Sequence, residues 1–148
     1  MIKLTFPLTQ VDTEERYNIG TQTMDKDGNV FEYRAGVASV AQYDFCSWYS
    51  NGSVARLTTG NTGAVGIAQA AIIGPNYGWF QIKGLGAGNC AATVSGGSGL
   101  YASGTTGTVS DVYTASAFIR GITSSATGVS TGTVNVVLSY PRMEQSDI

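Results

Sequence analysis

Residues 45–58 read Phe-Cys-Ser-Trp-Tyr-Ser-Asn-Gly-Ser-Val-Ala-Arg-Leu-Thr. Two runs that suit β-strands flank Asn51-Gly52, and this pair predicts a type I′ hairpin because both central residues of that turn need positive φ. A two-residue loop sets Trp48 against Ala55 and Cys46 against Leu57 on the face expected to meet the core. Ser47, Tyr49, Val54 and Arg56 then fall on the other face, since side chains alternate along a strand.

The same pattern spreads outward along the chain. Residues 21–26 and 29–34 flank Asp27-Gly28 and predict a second hairpin, with Met24, Phe31 and Tyr33 on one face. Further strands are expected at 64–73, 78–83, 100–102, 118–123 and 133–140, separated by Gly/Ser/Thr/Asn turns such as Gly96-Gly97-Ser98-Gly99. Residues 35–42 offer one helical turn, and no sustained helical period occurs elsewhere. The expected fold is all-β, a small barrel or sandwich of short antiparallel strands. A faint repeat sets Val65-Gly66-Ile67-Ala68 beside Arg120-Gly121-Ile122-Thr123, and 78–83 beside 133–138. Duplication and convergence of simple β sequence both account for it.

Composition narrows the function classes. The chain has 148 residues, 12% of them charged, and a net charge of −2. That is about half the usual charged share, and Ser, Thr, Gly, Asn and Gln take its place. Such a surface suits packing against other protein better than charge repulsion between copies. The eight basic residues are scattered from Lys3 to Arg142, so the counterion release that drives nucleic-acid binding is missing. The longest apolar stretch, 64–73, falls short of the roughly 20 residues of a membrane-spanning helix. The first residues lack the apolar core of a secretion signal, so synthesis in a cytoplasm is expected. In that compartment Cys46 and Cys90 are expected as buried thiols.

Charge is distributed unevenly. Residues 1–56 hold twelve charged side chains, 57–141 hold Lys83, Asp111 and Arg120, and the last seven residues hold Arg142, Glu144 and Asp147. The organisation read from this is an N-terminal arm (1–17), a β domain (18–141) and a polar tail (142–148).

The residues offer little reaction chemistry. There is no histidine, which removes the usual general base and the commonest nitrogen ligand for metals. Two cysteines without histidine do not make an ordinary zinc site. No catalytic, cofactor-binding or metal-binding residue is assigned. Asp12, Glu14 and Glu15 read as a solvated acidic segment, and Asp44 as a strand-edge charge or ion-pair partner. Residues 25–29, Asp-Lys-Asp-Gly-Asn, start like a calcium loop, but Val30 and Gly36 stand where Gly and Glu are needed, so they read as a turn. Residues 84–88, Gly-Leu-Gly-Ala-Gly, follow a strand without the spacing of a phosphate loop and read as a β connection. Trp48, Tyr49, Tyr77, Trp79 and Phe80 offer a carbohydrate platform if exposed and core if not.

The N-terminal segment alternates apolar and polar residues from Ile2 to Phe6, then meets Pro7, which donates no ladder hydrogen bond and suits an edge or strand end. An arm that adds as an edge strand to another chain would satisfy its backbone there. The contacts expected of it are Leu4, Phe6, Leu8, Arg16 and Tyr17. A first strand of the protein's own sheet is the competing reading.

Two regions resemble a known group. Ile19-Gly20-Thr21, Asp27 through Tyr33, and Ala35-Gly36 form one. Ile72 through Gly84, with Tyr77-Gly78-Trp79-Phe80-Gln81-Ile82-Lys83-Gly84 at its end, forms the other. Gly99-Leu100-Tyr101, Ile119-Arg120-Gly121-Ile122 and Asn135 through Leu138 follow. Together, from Asn18 to Tyr140, these resemble virion proteins of tailed bacteriophages, among them capsid decoration (cement) proteins. The chain is compact for that group between Leu57 and Ile72. The resemblance implies a homo-oligomer, a trimer, bound to the outside of the head, where it cements neighbouring major capsid protein subunits. It supplies no catalytic residues. Two other classes stay open: a phage tail, fibre or adhesin module that binds a host glycan, and a small enzyme working with carboxylates alone, which needs a close carboxylate pair in a cleft.

Overall fold

A computed structural model describes residues 1–4, 7–36, 39–49, 54–91, 93–125 and 132–143. Among them the chain is all-β and forms one ten-stranded sheet. The strands are β1 (Gln22–Met24), β2 (Val30–Ala35), β3 (Phe45–Trp48), β4 (Ala55–Arg56), β5 (Gly63–Ala68), β6 (Tyr77–Cys90), β7 (Gly99–Ala102), β8 (Val109–Ser110), β9 (Phe118–Ser124) and β10 (Gly132–Met143). The helical turn expected at 35–42 is not formed by its described residues, where Val40 instead bridges Ile72.

Two long strands organise the sheet. β6 runs 14 residues and β10 runs 12, and they pair antiparallel from Lys83–Ser139 to Cys90–Gly132. β6, β8, β7, β9 and β10 pair in that order, and β10 returns to β6, so the sheet closes on itself. The β6–β8 pairing is parallel; the rest of the ring is antiparallel. A main cluster that includes Phe45, Leu100, Ile119, Val136 and Leu138 fills the interior. The expected glycine-rich connection at 84–88 is therefore a correction: it is the middle of β6, because β10 hydrogen-bonds along it. Gly84 marks the point where β6 leaves β2 and takes up β10. Its φ is +100°, and the Asn29 amide oxygen stands where a side chain would be.

Both hairpins pair one residue off the expected register. β1 and β2 pair Gln22 with Glu32 and Met24 with Val30, around a three-residue loop rather than a two-residue one. The cause is Asp25: one of its carboxylate oxygens accepts the backbone N–H of Asp27 and of Asn29, both at 2.9 Å. The other accepts the Asn29 amide at 2.8 Å. A one-residue slip exchanges faces, so Met24 is exposed while Phe31 and Tyr33 are buried. In the other hairpin Cys46 pairs with Arg56 and Ser47 with Ala55. Trp48, Cys46 and Val54 thus share one buried cluster, and Phe45 and Leu57 share another. The Asn51-Gly52 turn lies outside the described residues. Cys46 and Cys90 are free thiols, each buried in a different cluster.

The N-terminal segment does not stand away from the domain. Leu4, Leu8, Tyr17 and Ile19 pack on Phe31, Tyr33 and Trp79. Ile2 bridges Thr23, and Asp12 bridges Tyr77 by a reciprocal pair of backbone hydrogen bonds at 2.9 Å. At the other end, Arg142 and Met143 belong to β10 and pair with Ala64 and Gly63, so the domain runs past the boundary expected at 141.

Candidate interaction surface

The face that β6, β9 and β10 turn outward carries apolar side chains. Along β10, Thr133, Asn135, Val137 and Ser139 point out, while Val134, Val136 and Leu138 point in. Val137 is 47% exposed and sits directly opposite Leu85 of β6, which is 61% exposed. On its other side Val137 faces Thr123 of β9. Next to them an open depression of about 500 Å³ is lined by Phe118, Arg120, Gly121, Ile122 and Val137.

An aromatic group continues this stripe. Tyr101 of β7 meets Phe118 at 5.3 Å between ring centres and Tyr113 at 5.6 Å edge-on. Tyr113 is 76% exposed, and Val112 beside it is exposed too. Lys83 places its ammonium 5.9 Å from the Tyr140 ring at the β6–β10 border. The depression is lined by one guanidinium and no carboxylate. Grouped exposed apolar side chains are a feature of surfaces that meet another protein, a membrane or a ligand.

The expected partner contacts are divided by the fold. Leu4, Leu8 and Tyr17 already cover the chain's own sheet, and Phe6 lies outside the described residues. Arg16 is exposed and binds Asp12 at 3.1 Å. Asp12 itself is buried rather than solvated. The residues that sequence reasoning missed are Leu85, Tyr113, Phe118 and Val137. One signal was present: Val137 is the apolar member of an otherwise polar alternation, Thr133-x-Asn135-x-Val137-x-Ser139.

The other candidates resolve into structure. Asp44 is buried at 1% exposure and accepts from Arg56 Nε at 2.7 Å, the Ala41 backbone N–H at 2.8 Å and the Asn89 amide at 3.1 Å. Glu32 and Arg34 form a second buried pair at 2.9 Å. Each inward carboxylate is thus matched by an arginine, which removes the penalty of an unpaired buried charge. Among the described residues no group of three or more His, Cys, Asp or Glu side chains gathers. Trp48, Trp79 and Phe80 are buried and Tyr77 is half-buried, so the five aromatics do not form one exposed platform; Tyr49 alone stays exposed.

Comparison of the chain with protein-family models and with curated proteins finds no match.

Proposed function

We propose that this chain is a structural protein of a tailed-bacteriophage virion that binds the outside of the head and cements neighbouring major capsid protein subunits, without catalysing a reaction. The observation that carries the reading is the outward stripe from Tyr113 through Phe118 and Val137 to Leu85. It offers area and shape for protein contact. The resemblance between Asn18 and Tyr140 supplies the kind of partner. Self-association on the capsid belongs to the same reading, since few surface charges keep copies apart, and the resemblance implies that the oligomer is a trimer.

Mass spectrometry and electron cryomicroscopy of virions from the source phage test it. The expected result is many copies per particle, located on the head exterior. Binding of purified protein to stripped heads is expected to fail for Leu85→Lys and Val137→Lys, with unfolding midpoints unchanged. Absence from the virion, location on the tail, or head binding that ignores both substitutions would overturn the proposal.

A further inference from the structure

A second concave region adjoins the stripe, with Arg142 at its edge paired across the strands to Arg120. The ends of four strands meet there: Glu32 and Arg34 of β2, Trp48 of β3 with Tyr49 directly after it, Gly63 of β5, and Arg142 of β10. They enclose an open cleft of about 510 Å³, within the roughly 300–1,000 Å³ of small-molecule sites.

The floor is polar and fixed. The Arg34 guanidinium donates to Glu32 at 2.9 Å and to the Tyr49 carbonyl at 3.4 Å, and lies 5.3 Å from the centre of the Trp48 ring. Gln22 donates to the other Glu32 oxygen at 3.2 Å. Both charged residues are at least nine-tenths buried. The rim is different. Tyr49 is 61% exposed, its hydroxyl meets the Thr62 hydroxyl, and its ring lines the cleft. Arg142 is exposed and makes no side-chain hydrogen bond or ion pair among the described residues. Two arginines and one glutamate leave the cleft one positive charge.

We infer that this cleft binds an acidic sugar unit, with Tyr49 stacking on the pyranose ring and Arg142 taking the carboxylate. A planar guanidinium matches a carboxylate with two parallel hydrogen bonds. An aromatic plate presents an apolar face to the C–H side of a sugar. Each Glu32 oxygen keeps a further lone pair for a sugar hydroxyl. The positive balance selects an acidic sugar over a neutral one. The site shares no residue with the Leu85–Val137 stripe, so either proposal stands or fails without the other.

NMR titration of the full chain decides it, with trigalacturonic acid and sialyllactose as ligands and lactose and acetate as controls. The expected result is saturable shifts of the Trp48 indole and the arginine side-chain signals with at least one acidic sugar, and weaker binding of lactose and acetate. Arg142→Gln and Tyr49→Leu are each expected to weaken binding by about tenfold, while Lys26→Gln, an exposed cation in the β1–β2 loop outside the cleft lining, leaves it unchanged. No saturable shift with either acidic sugar, equal binding of lactose, or equal binding by the Arg142→Gln chain would overturn the inference.

Discussion

The hydroxyl of Tyr33 donates to Asp12 Oδ2 at 2.8 Å, a buried side-chain bond that joins the N-terminal segment to the sheet beside the backbone pairing of Asp12 with Tyr77. Tyr33 is fully buried and Asp12 nearly so. Arg16 closes the triangle: its Nε reaches Asp12 at 3.1 Å, and its backbone N–H donates to the Tyr33 oxygen at 3.2 Å. Burial, reinforced by the Asp12 carboxylate and opposed by Arg16, pushes the Tyr33 hydroxyl well above its ordinary value, so it stays a neutral donor. Around it stand Tyr17, Tyr77 and Trp79, with ring centres 5.1–6.0 Å away.

Tyr33→Phe is therefore expected to cost about 1–2 kcal/mol in chemical denaturation, because it leaves a buried carboxylate oxygen short of a donor. Deletion of residues 1–17 strips Leu4, Leu8, Asp12 and Tyr17 from the same cluster and is expected to cost more than about 3 kcal/mol. An unchanged midpoint for the deletion would show that the segment is dispensable to the fold.

Gly88 lets the Phe45 ring pack directly against the backbone of β6. A Cβ there would stand 2.3 Å from the Phe45 ring, which is itself fully buried. Gly88→Ala should destabilise by about 1–3 kcal/mol through overpacking. Gly60→Ala is the matched control, since nothing lies within 4 Å of its Cβ position and its φ is ordinary. Equal midpoints for the two variants would disprove the close approach.

Asp25 gives the first hairpin a pH dependence. Burial works to raise its pKa, but the Asn29 side chain and the backbone N–H groups of Asn29, Asp27 and Gly28 outweigh it, so the folded value lies below the ordinary 3.8. A depressed carboxylate contributes stability above its unfolded pKa and loses it as pH falls through the folded one. Thermal midpoints should thus fall as pH drops below about 4, and Asp25→Asn should flatten that fall. A parallel decline in both proteins would rule out Asp25 as its source.

Cys46 is expected to resist alkylation in the folded state. Burial and the neighbouring Asp44 carboxylate raise its pKa well above the ordinary thiol value, against a smaller opposing pull from Arg56. The reactive thiolate is then scarce, and the sulfur is sealed in the core. Intact-mass measurement after iodoacetamide should show no label on Cys46 natively and label on both cysteines once denatured. Native labelling of Cys46 at the rate of a free thiol would contradict its placement.

Where sequence reading worked and where it failed follows from the range of each signal. Strands at 99–102 and 118–124 match runs of alternating or β-branched residues, because side-chain alternation is written into neighbouring positions, while the strand expected at 64–73 ends at Ala68 and leaves Ile72 as an isolated bridge to Val40. The register of the β1–β2 hairpin differs by one residue because a side chain sets its loop length: Asp25 holds the backbone of Asp27 and Asn29. Two-residue turn statistics do not contain that bond. The run at 84–88 looked like a loop because glycine is a poor strand former alone, yet β10 supplies partners along it.

The sequence by itself determined the all-β class, the identity of most strands and the lack of a histidine-based site. These rest on composition and on contacts within a few residues. Only the tertiary structure decided that the first residues cover Tyr33, that Asp12 and Asp44 are buried with arginines, and that Leu85 meets Val137 on an outer face. Such pairs lie tens of residues apart, and their meeting depends on which strands close the sheet. That choice is made by filling one interior and satisfying each backbone group at once, a condition on the whole chain that no short stretch contains.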